Sequence, residues 1–467
     1  MNPYYKRLRG RFGSIVFITV TAAFALIACK NATKAIATIP VQHPDWSYDA
    51  TIYEVNVRQY TPEGTFKAFE MQLPRLQKLG VKILWIMPIN PIGKEARKGK
   101  LGSYYSVKNY KEINPEYGNL ADFKQLVKKA HELGFKVIID WVANHTSRDN
   151  NWIASHPEWY KKDSTGKIAT QFDWTDVAKL DFKNKEMRTA MVDAMEYWIK
   201  EADIDGFRCD VAMEVPTDFW NQTYPLLKSI KPDIFMLAEA EKPELQDSAF
   251  DMSYSWKLHS LMNGIAQGKK SVADIDRYLH SEDSLFKPNA YRMLFTSNHD
   301  ENSWNGTEFE RMKDAAKTFA AFSFVMPGMP LIYTGQEAGF NKRIRFFEKD
   351  TVTFPVNEYA TFYQQLVELK KSNSALWNGE KGAKLVKNTS SVPEVYAFIR
   401  QNEKDKVLAI FNLSPKKQKV TLETTSYAGI YASFPNKVSV EVKSKLNYTL
   451  NPWEYKILTS VKNKTTI

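Results

Sequence analysis

Cysteine is nearly absent from this chain. Cys29 and Cys209 are the only two among its 467 residues. The surroundings of Cys29, described below, indicate that it carries a lipid, and Cys209 is then left without a partner. We therefore expect no internal disulfide. The stability of the fold must come from its core, and Cys209 is expected to pack rather than to react.

Negative charge is absent from the N-terminal segment. No Asp or Glu occurs before Cys29, and an apolar run from Phe12 to Ala28 leads to this cysteine. A basic segment followed by such a run is typical of a secretory signal. The run ends Leu-Ile-Ala-Cys, which resembles the bacterial lipobox, a motif whose cysteine is lipidated and becomes the mature N-terminus. The basic residues are Lys6, Arg7, Arg9 and Arg11.

This N-terminal pattern predicts a signal peptide over residues 1–28 and a polar tether over residues 29–44. We expect lipidation at Cys29, attachment to the membrane through that lipid, and a bacterial cell-envelope location on the periplasmic or outer-membrane face. The alternative is a single membrane-spanning anchor. The pattern favours it less, because the apolar run is shorter than the ~20 residues of a typical span.

The rest of the chain has no concentrated basic patch. The net charge of +11 includes the four N-terminal cations, and the remaining surplus is spread along the sequence. A nucleic-acid-binding surface needs basic residues gathered on one face. Nucleic acid is therefore not an expected partner.

From residue 45 onward, short β-rich segments alternate with helical segments. This alternation indicates a parallel sheet covered by helices. A closed barrel of this kind takes roughly 250 residues, so a (β/α)8 TIM barrel over residues 45–372 is the predicted fold. The predicted strands are 51–57, 81–87, 135–140, 205–212, 234–238, 250–254, 291–296 and 330–334.

Two segments depart from the repeat. Residues 144–181 contain many Trp, Asp, Lys and Gly residues and no good helical pattern, which predicts a subdomain inserted after the third strand. Residues 373–467 change to a succession of strands with short connections, which predicts a C-terminal antiparallel β-sandwich domain.

Charged residues occupy the ends of several predicted strands. In the fourth strand, Arg208 and Asp210 share one face while Phe207 and Cys209 share the other, because side chains alternate along a strand. Arg208 is therefore expected to orient Asp210 and to hold the pKa of its carboxyl low. The alternative is a purely structural ion pair.

Other carboxyl and imidazole groups also lie at the ends of predicted strands. Barrel enzymes place their chemistry at the mouth formed by the C-terminal ends of the strands. Paired carboxyls suit glycoside cleavage, in which one acts as nucleophile and the other as acid. Metal binding is the competing use of Asp, Glu and His, but no compact ligand spacing is present. The groups at strand ends are Asp140, His145, Asp210, Glu239, His299 and Asp300.

From about residue 52 to its C-terminus, the chain resembles the α-amylase family of glycoside hydrolases. Four family motifs occur in order at the predicted strand ends, and the loop after strand two and the segment 180–182 also resemble the family. The four motifs are Asp140-Trp-Val-Ala-Asn-His145, Gly206-Phe-Arg-Cys-Asp210, Ala238-Glu239-Ala240 and Ser297-Asn-His-Asp300.

The resemblance implies a role for each candidate. Asp210 would be the nucleophile, Glu239 the acid and then the base, and Asp300 the carboxylate that stabilises the transition state. Asp140 is interpreted as a structural hydrogen-bonding residue. The alternative for Tyr105 is packing alone, and the alternative for Glu239 is a buried ion pair with Arg or Lys. The resemblance further implies that the substrate is held by Tyr105, His145, Arg208 and His299.

The family's usual calcium site is not expected here. Asn144 matches a ligand position, but Glu214 stands where calcium-binding members have a His that donates its backbone carbonyl. A carboxylate also suits calcium, so calcium is kept as the alternative to the prediction of no metal and no cofactor.

The resemblance thus implies a retaining hydrolase of α-1,4 bonds in starch, glycogen or maltooligosaccharides. Within the family the alternatives are an α-1,6-acting or transglycosylating enzyme. Outside it, the alternatives are a catalytically inactive glucan-binding protein and a metal-dependent barrel hydrolase.

Overall fold

A computed structural model describes residues 39–461 of the chain. The predicted signal peptide, the lipidation site at Cys29 and most of the predicted tether lie outside these residues. Among the residues described, no helix is both long and apolar enough to cross a membrane.

Within residues 39–461, eight short parallel strands close into a barrel, which confirms the predicted architecture. The strands are neighbours in the order β1-β8-β7-β6-β5-β4-β3-β2, and β1 pairs with both β2 and β8. Closure removes the exposed edges that an open sheet would have. The strands are β1 (Ile52–Val55), β2 (Ile83–Ile86), β3 (Lys136–Trp141), β4 (Gly206–Cys209), β5 (Phe235–Ala238), β6 (Met252–Tyr254), β7 (Tyr291–Leu294) and β8 (Met329–Tyr333).

Alternation along the strands separates two apolar cores. Side chains such as Ile52, Ile138 and Met293 pack together inside the barrel. Side chains on the outward face, such as Phe207 and Cys209 on β4, pack in the larger core beneath the helices. Cys209 is a free, buried cysteine, on the outward face that the sequence predicts.

Helices cover the outside of the barrel, and their ends follow local sequence signals. α4, for example, begins with a capping box formed by Asn119 and Asp122, which satisfies otherwise free N–H groups of the first turn. The helices are α1 (Val57–Tyr60), α2 (Phe66–Glu70), α3 (Leu73–Leu79), α4 (Leu120–Glu132), α5 (Asn151–Ser155), α6 (Lys185–Ala202), α7 (Thr217–Ile230), α8 (Leu245–Ser248), α9 (Trp256–Ala266), α10 (Asp274–Leu285), α11 (Glu308–Met312), α12 (Ala316–Val325) and α13 (Glu358–Ser372).

The inserted segment forms a small lobe above β3. Its strands His145–Ser147 and Val177–Lys179 pair in antiparallel fashion, with α5 between them in the sequence. The pairing holds His145 at the position where the chain leaves the barrel, and it brings the C-terminal end of the insertion back beside the mouth.

The C-terminal domain consists of antiparallel strands in two sheets. β9, β10, β11, β16, β13 and β14 form a six-stranded sheet in that order, and β12 pairs with β15. An apolar core that includes Val395, Leu408 and Leu446 fills the space between the sheets. The strands are β9 (Leu385–Asn388), β10 (Val395–Gln401), β11 (Lys406–Asn412), β12 (Gln418–Glu423), β13 (Gly429–Phe434), β14 (Ser439–Val442), β15 (Lys445–Leu450) and β16 (Tyr455–Ser460).

Arg400 on β10 joins this domain to the barrel. Its guanidinium donates hydrogen bonds to the carbonyls of Ala383, Val325 and Met326, the last two at the C-terminal end of α12. Burial lowers the pKa of Arg400 to about 9. A cation at this position also opposes the negative end of the helix dipole.

Candidate active site

The predicted site residues meet at the C-terminal mouth of the barrel, around a cavity of about 580 Å³. Asp210 directly follows β4 and Glu239 directly follows β5, so neighbouring parallel strands deliver both carboxyls to the same place. Arg208 and Asp140 lie beneath the cavity and are not exposed. The cavity is lined by six of the candidates: Tyr105, His145, Asp210, Glu239, His299 and Asp300.

Arg208 contacts three carboxyl groups at once. Its Nη1 donates to Oδ1 of Asp140 at 2.9 Å and to Oδ1 of Asp210 at 3.0 Å. Its Nη2 lies 2.8 Å from Oε2 of Glu239, although the angle is unsuitable for a hydrogen bond. One positive charge is therefore shared among three carboxyls. Because a single charge cannot neutralise three carboxylates, the cluster of carboxyls readily retains a proton.

Asp210 has one held oxygen and one free oxygen. Oδ1 accepts from Arg208, whereas the buried Oδ2 has no hydrogen-bond partner within residues 39–461. Burial and the charge of Glu239 raise the pKa of Asp210 well above its usual range, and Arg208 offsets only part of this. Arg208 therefore acts on this pKa in the predicted direction, but burial outweighs a charge that three groups share.

A strained turn after the fourth strand directs a backbone donor at Glu239. Val211 has φ 36° and ψ 45°, the left-handed region that β-branched residues rarely adopt. Its N–H donates to Oε2 of Glu239 at 2.8 Å. The turn thus fixes Glu239 beside Asp210 in spite of the conformational cost.

Asp140 anchors the floor of the site. Its Oδ2 accepts hydrogen bonds from Nε1 of Trp85 at 3.1 Å and from the hydroxyl of Tyr105 at 3.0 Å. Burial raises the pKa of Asp140, although Arg208 and His299 oppose this effect. Asp140 does not line the cavity, so it is placed to orient its neighbours rather than to meet a substrate.

His299 lies between acidic groups. Its Nδ1 is 2.5 Å from Oε1 of Glu54, and its Nε2 is 2.8 Å from the hydroxyl oxygen of Tyr105 and 3.3 Å from Oδ2 of Asp300. The sequence interpretation missed Glu54, since its partner lies 245 residues away along the chain.

His145 differs from His299 in its surroundings. Its Nδ1 contacts the side-chain nitrogen of Asn144 at 3.2 Å, and its buried Nε2 has no hydrogen-bond partner in the described part of the chain. Burial lowers the pKa of His145 to about 3. At neutral pH it therefore presents a neutral ring to the cavity.

Aromatic side chains that the sequence interpretation missed form the cavity walls. Trp304, Phe346 and Phe347 form one wall, with ring centroids 5.1 Å apart for Trp304 and Phe346. Trp174 lies in the opposite, inserted lobe and contacts the ring of His145. A Trp four residues after the Asp300 motif was the available signal for the first wall.

The side chains at the compared calcium positions have protein partners. The amide nitrogen of Asn144 contacts His145, and Oε2 of Glu214 accepts from Nε2 of Gln171 at 3.2 Å. Calcium needs six to eight oxygen ligands. Among residues 39–461, no three or more His, Cys, Asp or Glu side chains form a group that could hold a metal ion.

A parallel barrel with paired carboxyls at its mouth defines a barrel-type glycoside hydrolase. The family described as "Alpha amylase, catalytic domain" matches residues 48–174 and 154–406. The "Maltogenic Amylase, C-terminal domain" matches residues 386–457. Most of the chain is covered, and the chain belongs to the α-amylase family of glycoside hydrolases, as its motifs indicate.

Known relatives agree with this assignment. The chain is 28% identical to the α-amylase MalA of Haloarcula japonica over 82% of its length, and it spans 58% of that relative. The crystal structure of the maltogenic α-amylase AmyB from Thermotoga neapolitana matches with a TM-score of 0.80 and 30% identity, over 88% of this chain and 99% of that one. An α-amylase from Lactobacillus plantarum matches with a TM-score of 0.79 and 32% identity, over 89% and 100%.

Proposed function

We propose that this protein hydrolyses α-1,4-glucosidic bonds of starch, glycogen or maltooligosaccharides with retention of anomeric configuration. The observation that carries the proposal is that Asp210 and Glu239 contact the same guanidinium, at 3.0 and 2.8 Å. A shared guanidinium favours the ~5–5.5 Å separation of a retaining pair over the roughly 6.5–9.5 Å of an inverting pair.

The first chemical step breaks the glycosidic bond. Glu239 in its protonated form gives its proton to the departing oxygen, while Oδ2 of Asp210 attacks the anomeric carbon and forms a glycosyl ester. This oxygen suits the role because it has no hydrogen-bond partner among residues 39–461. Arg208 holds the other oxygen and orients the carboxyl.

The second step releases the sugar. Glu239, now ionised, takes a proton from a water molecule, which attacks the anomeric carbon and regenerates Asp210. Asp300, whose side chain is 35% exposed, faces the cavity, where it would stabilise positive charge on the sugar ring. No step requires a metal ion. Contacts to the sugar would come from Tyr105, His145 and His299.

Relatives with different activities set the alternatives. Proteins 24–26% identical to this chain are described as cyclomaltodextrinases and a neopullulanase. An α-1,6-acting or transglycosylating enzyme would use the same carboxyls. The arrangement of Asp210, Glu239 and Arg208 disfavours an inactive glucan-binding protein, since binding alone needs no such costly cluster.

Product analysis tests the proposal. Amylose, pullulan, short maltooligosaccharides and a cyclodextrin should be incubated with the protein, with and without a chelator. We expect maltooligosaccharide products that appear first as the α-anomer by NMR. Initial β-anomer or cleavage confined to α-1,6 bonds would contradict the proposal, and complete loss on chelation would indicate the metal-dependent alternative.

Variants of the two carboxyls separate their roles. Glu239→Gln should retain glycosylation by α-glucosyl fluoride, whose leaving group needs little protonation, while losing most activity on starch. Asp210→Asn should lose both activities. With azide, Asp210→Ala should give the inverted β-azide and Glu239→Ala the retained α-azide. The opposite azides would mean that the two roles are exchanged.

We also propose that a lipid on Cys29 anchors the protein in the bacterial cell envelope. The support is the sequence that ends at Cys29, because this residue lies outside the described part of the chain. Cys29→Ser should abolish incorporation of labelled fatty acid and release the protein from the membrane fraction or leave an unprocessed precursor. Unchanged lipid labelling would refute the proposal.

A further inference from the structure

Glu54 is a buried carboxyl at the end of β1 that none of the proposed catalytic steps uses. Its side chain is not exposed and lies on the inward face of the strand, two residues after Ile52. Oε1 is 2.5 Å from Nδ1 of His299, and Oε2 has no hydrogen-bond partner in residues 39–461. A buried carboxyl held by one partner points to a role through that partner.

The opposite edge of the His299 ring also faces acceptors. The Tyr105 hydroxyl donates its hydrogen to Oδ2 of Asp140 at 3.0 Å, so its oxygen presents a lone pair to Nε2 of His299, 2.8 Å away. Oδ2 of Asp300 lies 3.3 Å from the same nitrogen. When both ring nitrogens face acceptors, both must donate, and the ring is then an imidazolium.

We propose that Glu54 is a positioning residue for the reaction at this site, in that it keeps His299 doubly protonated and keeps its Nε2–H directed at the Tyr105 hydroxyl, beside Asp300. The inference rests on the proposed function of the site. A ring held in this way adds positive charge next to Asp300, and it fixes the Tyr105 hydroxyl at the edge of the cavity.

The surrounding charges agree with this assignment. Burial lowers the pKa of His299, but the charges of Asp300 and Glu54 outweigh it and raise the pKa to about 9. Arg208 opposes this rise. The other ionisable groups that face the pair are Tyr105 in the loop after β2, Asp140 on β3, and Tyr333 on β8.

Titration of His299 provides the direct test. Protein labelled with ¹³C and ¹⁵N in histidine contains seven such residues, and the His299 signals are those missing from His299→Asn. In the unaltered protein, His299 should remain charged at pH 8. A midpoint near 6.5 there would overturn the proposal, and this measurement requires no Glu54 variant to fold.

Glu54→Gln keeps an oxygen that can accept from Nδ1 but removes the charge. The His299 midpoint should fall by at least one pH unit, which is a tenfold change in proton affinity. With α-glucosyl fluoride, which needs no acid from Glu239, the deficit in kcat relative to the unaltered protein should grow by about threefold or more from pH 6 to 8.5. An unchanged midpoint or a deficit independent of pH would overturn the proposal.

Glu337→Gln is the matched control. Glu337 is equally buried and accepts from the Tyr53 hydroxyl at 2.7 Å, but its cation partner is Arg75. Its loss should lower stability without moving the His299 midpoint. Failure of the proposed function itself would appear differently, as absence of glucan products while His299 still titrates as expected.

Discussion

Arg208 and Asp140 form an ion pair in which neither side chain is exposed, with Nη1 2.9 Å from Oδ1. This pair lies under Asp210 and Glu239 and takes up part of the charge that Arg208 offers to Asp210. It explains why burial dominates the pKa of Asp210. The same sharing makes the planar guanidinium, rather than its charge alone, the essential property of residue 208.

The first prediction is that Arg208→Lys lowers kcat/KM on maltotriose by about 10²–10³-fold, because one ammonium group cannot contact three carboxyls. Steady-state kinetics measure this loss. Arg75→Lys is the control, since Arg75 pairs with Glu337 at 2.9 Å and stacks on Phe354, and none of the three lines the cavity. Equal losses in the two variants would show that stability, not the site, is affected.

The second prediction concerns pH. The charge of Asp140 adds to the effects of burial and of Glu239 in raising the pKa of Asp210. Asp140→Asn removes that charge, so Asp210 should ionise at lower pH. The acidic limb of kcat/KM on α-glucosyl fluoride should therefore move to lower pH, at a reduced maximal rate. Asp176→Asn, which loses an ion pair with Lys98 at the cavity, should leave the limb in place. A shift to higher pH in Asp140→Asn would contradict the argument.

The third prediction concerns stability at the opposite end of the barrel. Burial would raise the pKa of Asp205, but His131, Lys231 and the N–H of Val137 lower it to about 2. Relative to a value near 3.9 in the unfolded chain, this contributes about 2.5 kcal/mol above pH 4 and is lost as pH falls toward 2. Asp205→Asn should lower the free energy of unfolding by about that amount at pH 7.

Urea denaturation from pH 7 to pH 3 checks this result, and the difference from the unaltered protein should shrink below pH 4. Asp233→Asn is the control, because Asp233 pairs with the same Lys136 as Asp205 but is 45% exposed. It should cost less than about 1 kcal/mol. A difference that stays constant with pH would rule out the ionic explanation.

The fourth prediction concerns the aromatic wall. Trp304 is 52% exposed and lies in the π-helical turn Glu301–Asn305 directly after Asp300. Trp304→Ala should raise KM for maltotriose by about tenfold, equivalent to about 1.4 kcal/mol, with little loss of stability. Trp304→Phe should retain most of the affinity. Leu285→Ala, an exposed apolar change on α10, should leave KM unaltered; if it raises KM as much, the wall does not bind substrate.

The barrel was predictable because each strand is a short apolar segment next to a helical one. The exact ends of the strands and helices could not be predicted, because they depend on local backbone conformation. The strand predicted over 51–57 ends at Val55, and α1 begins at Val57. The helical segment between β7 and β8 is divided into α11 and α12 at Lys313, whose φ of 51° no α-helix accommodates. No sequence signal identified helices α9 and α10 or strands β9, β13 and β15; β15, for example, alternates buried and half-buried apolar residues with exposed Lys445, Asn447 and Thr449.

The carboxyls could be located from the sequence because they lie at the ends of predicted strands, and the C-terminal ends of parallel barrel strands meet at one mouth. Glu54 could not be located in this way, since it lies one residue before the end of β1 and meets His299, after β7, because β8 pairs with both β1 and β7. Trp304 and Phe346 come from loops whose approach depends on tertiary packing. The net rise in the pKa of Asp210 was not predicted, because the sequence shows one cation beside one carboxylate, not three carboxyls around it.

Arg400 limits how far this protein can be treated as modular. The carbonyls of Val325 and Met326 belong to the barrel, yet their donor is supplied by the C-terminal domain. A chain truncated before β9 would leave these acceptors unsatisfied at an interface that also loses its apolar cover, including the contact of Phe322 with Phe411. We therefore expect the two domains to unfold in a single cooperative transition. A C-terminal domain grafted from another protein would have to supply its own cation to the end of α12.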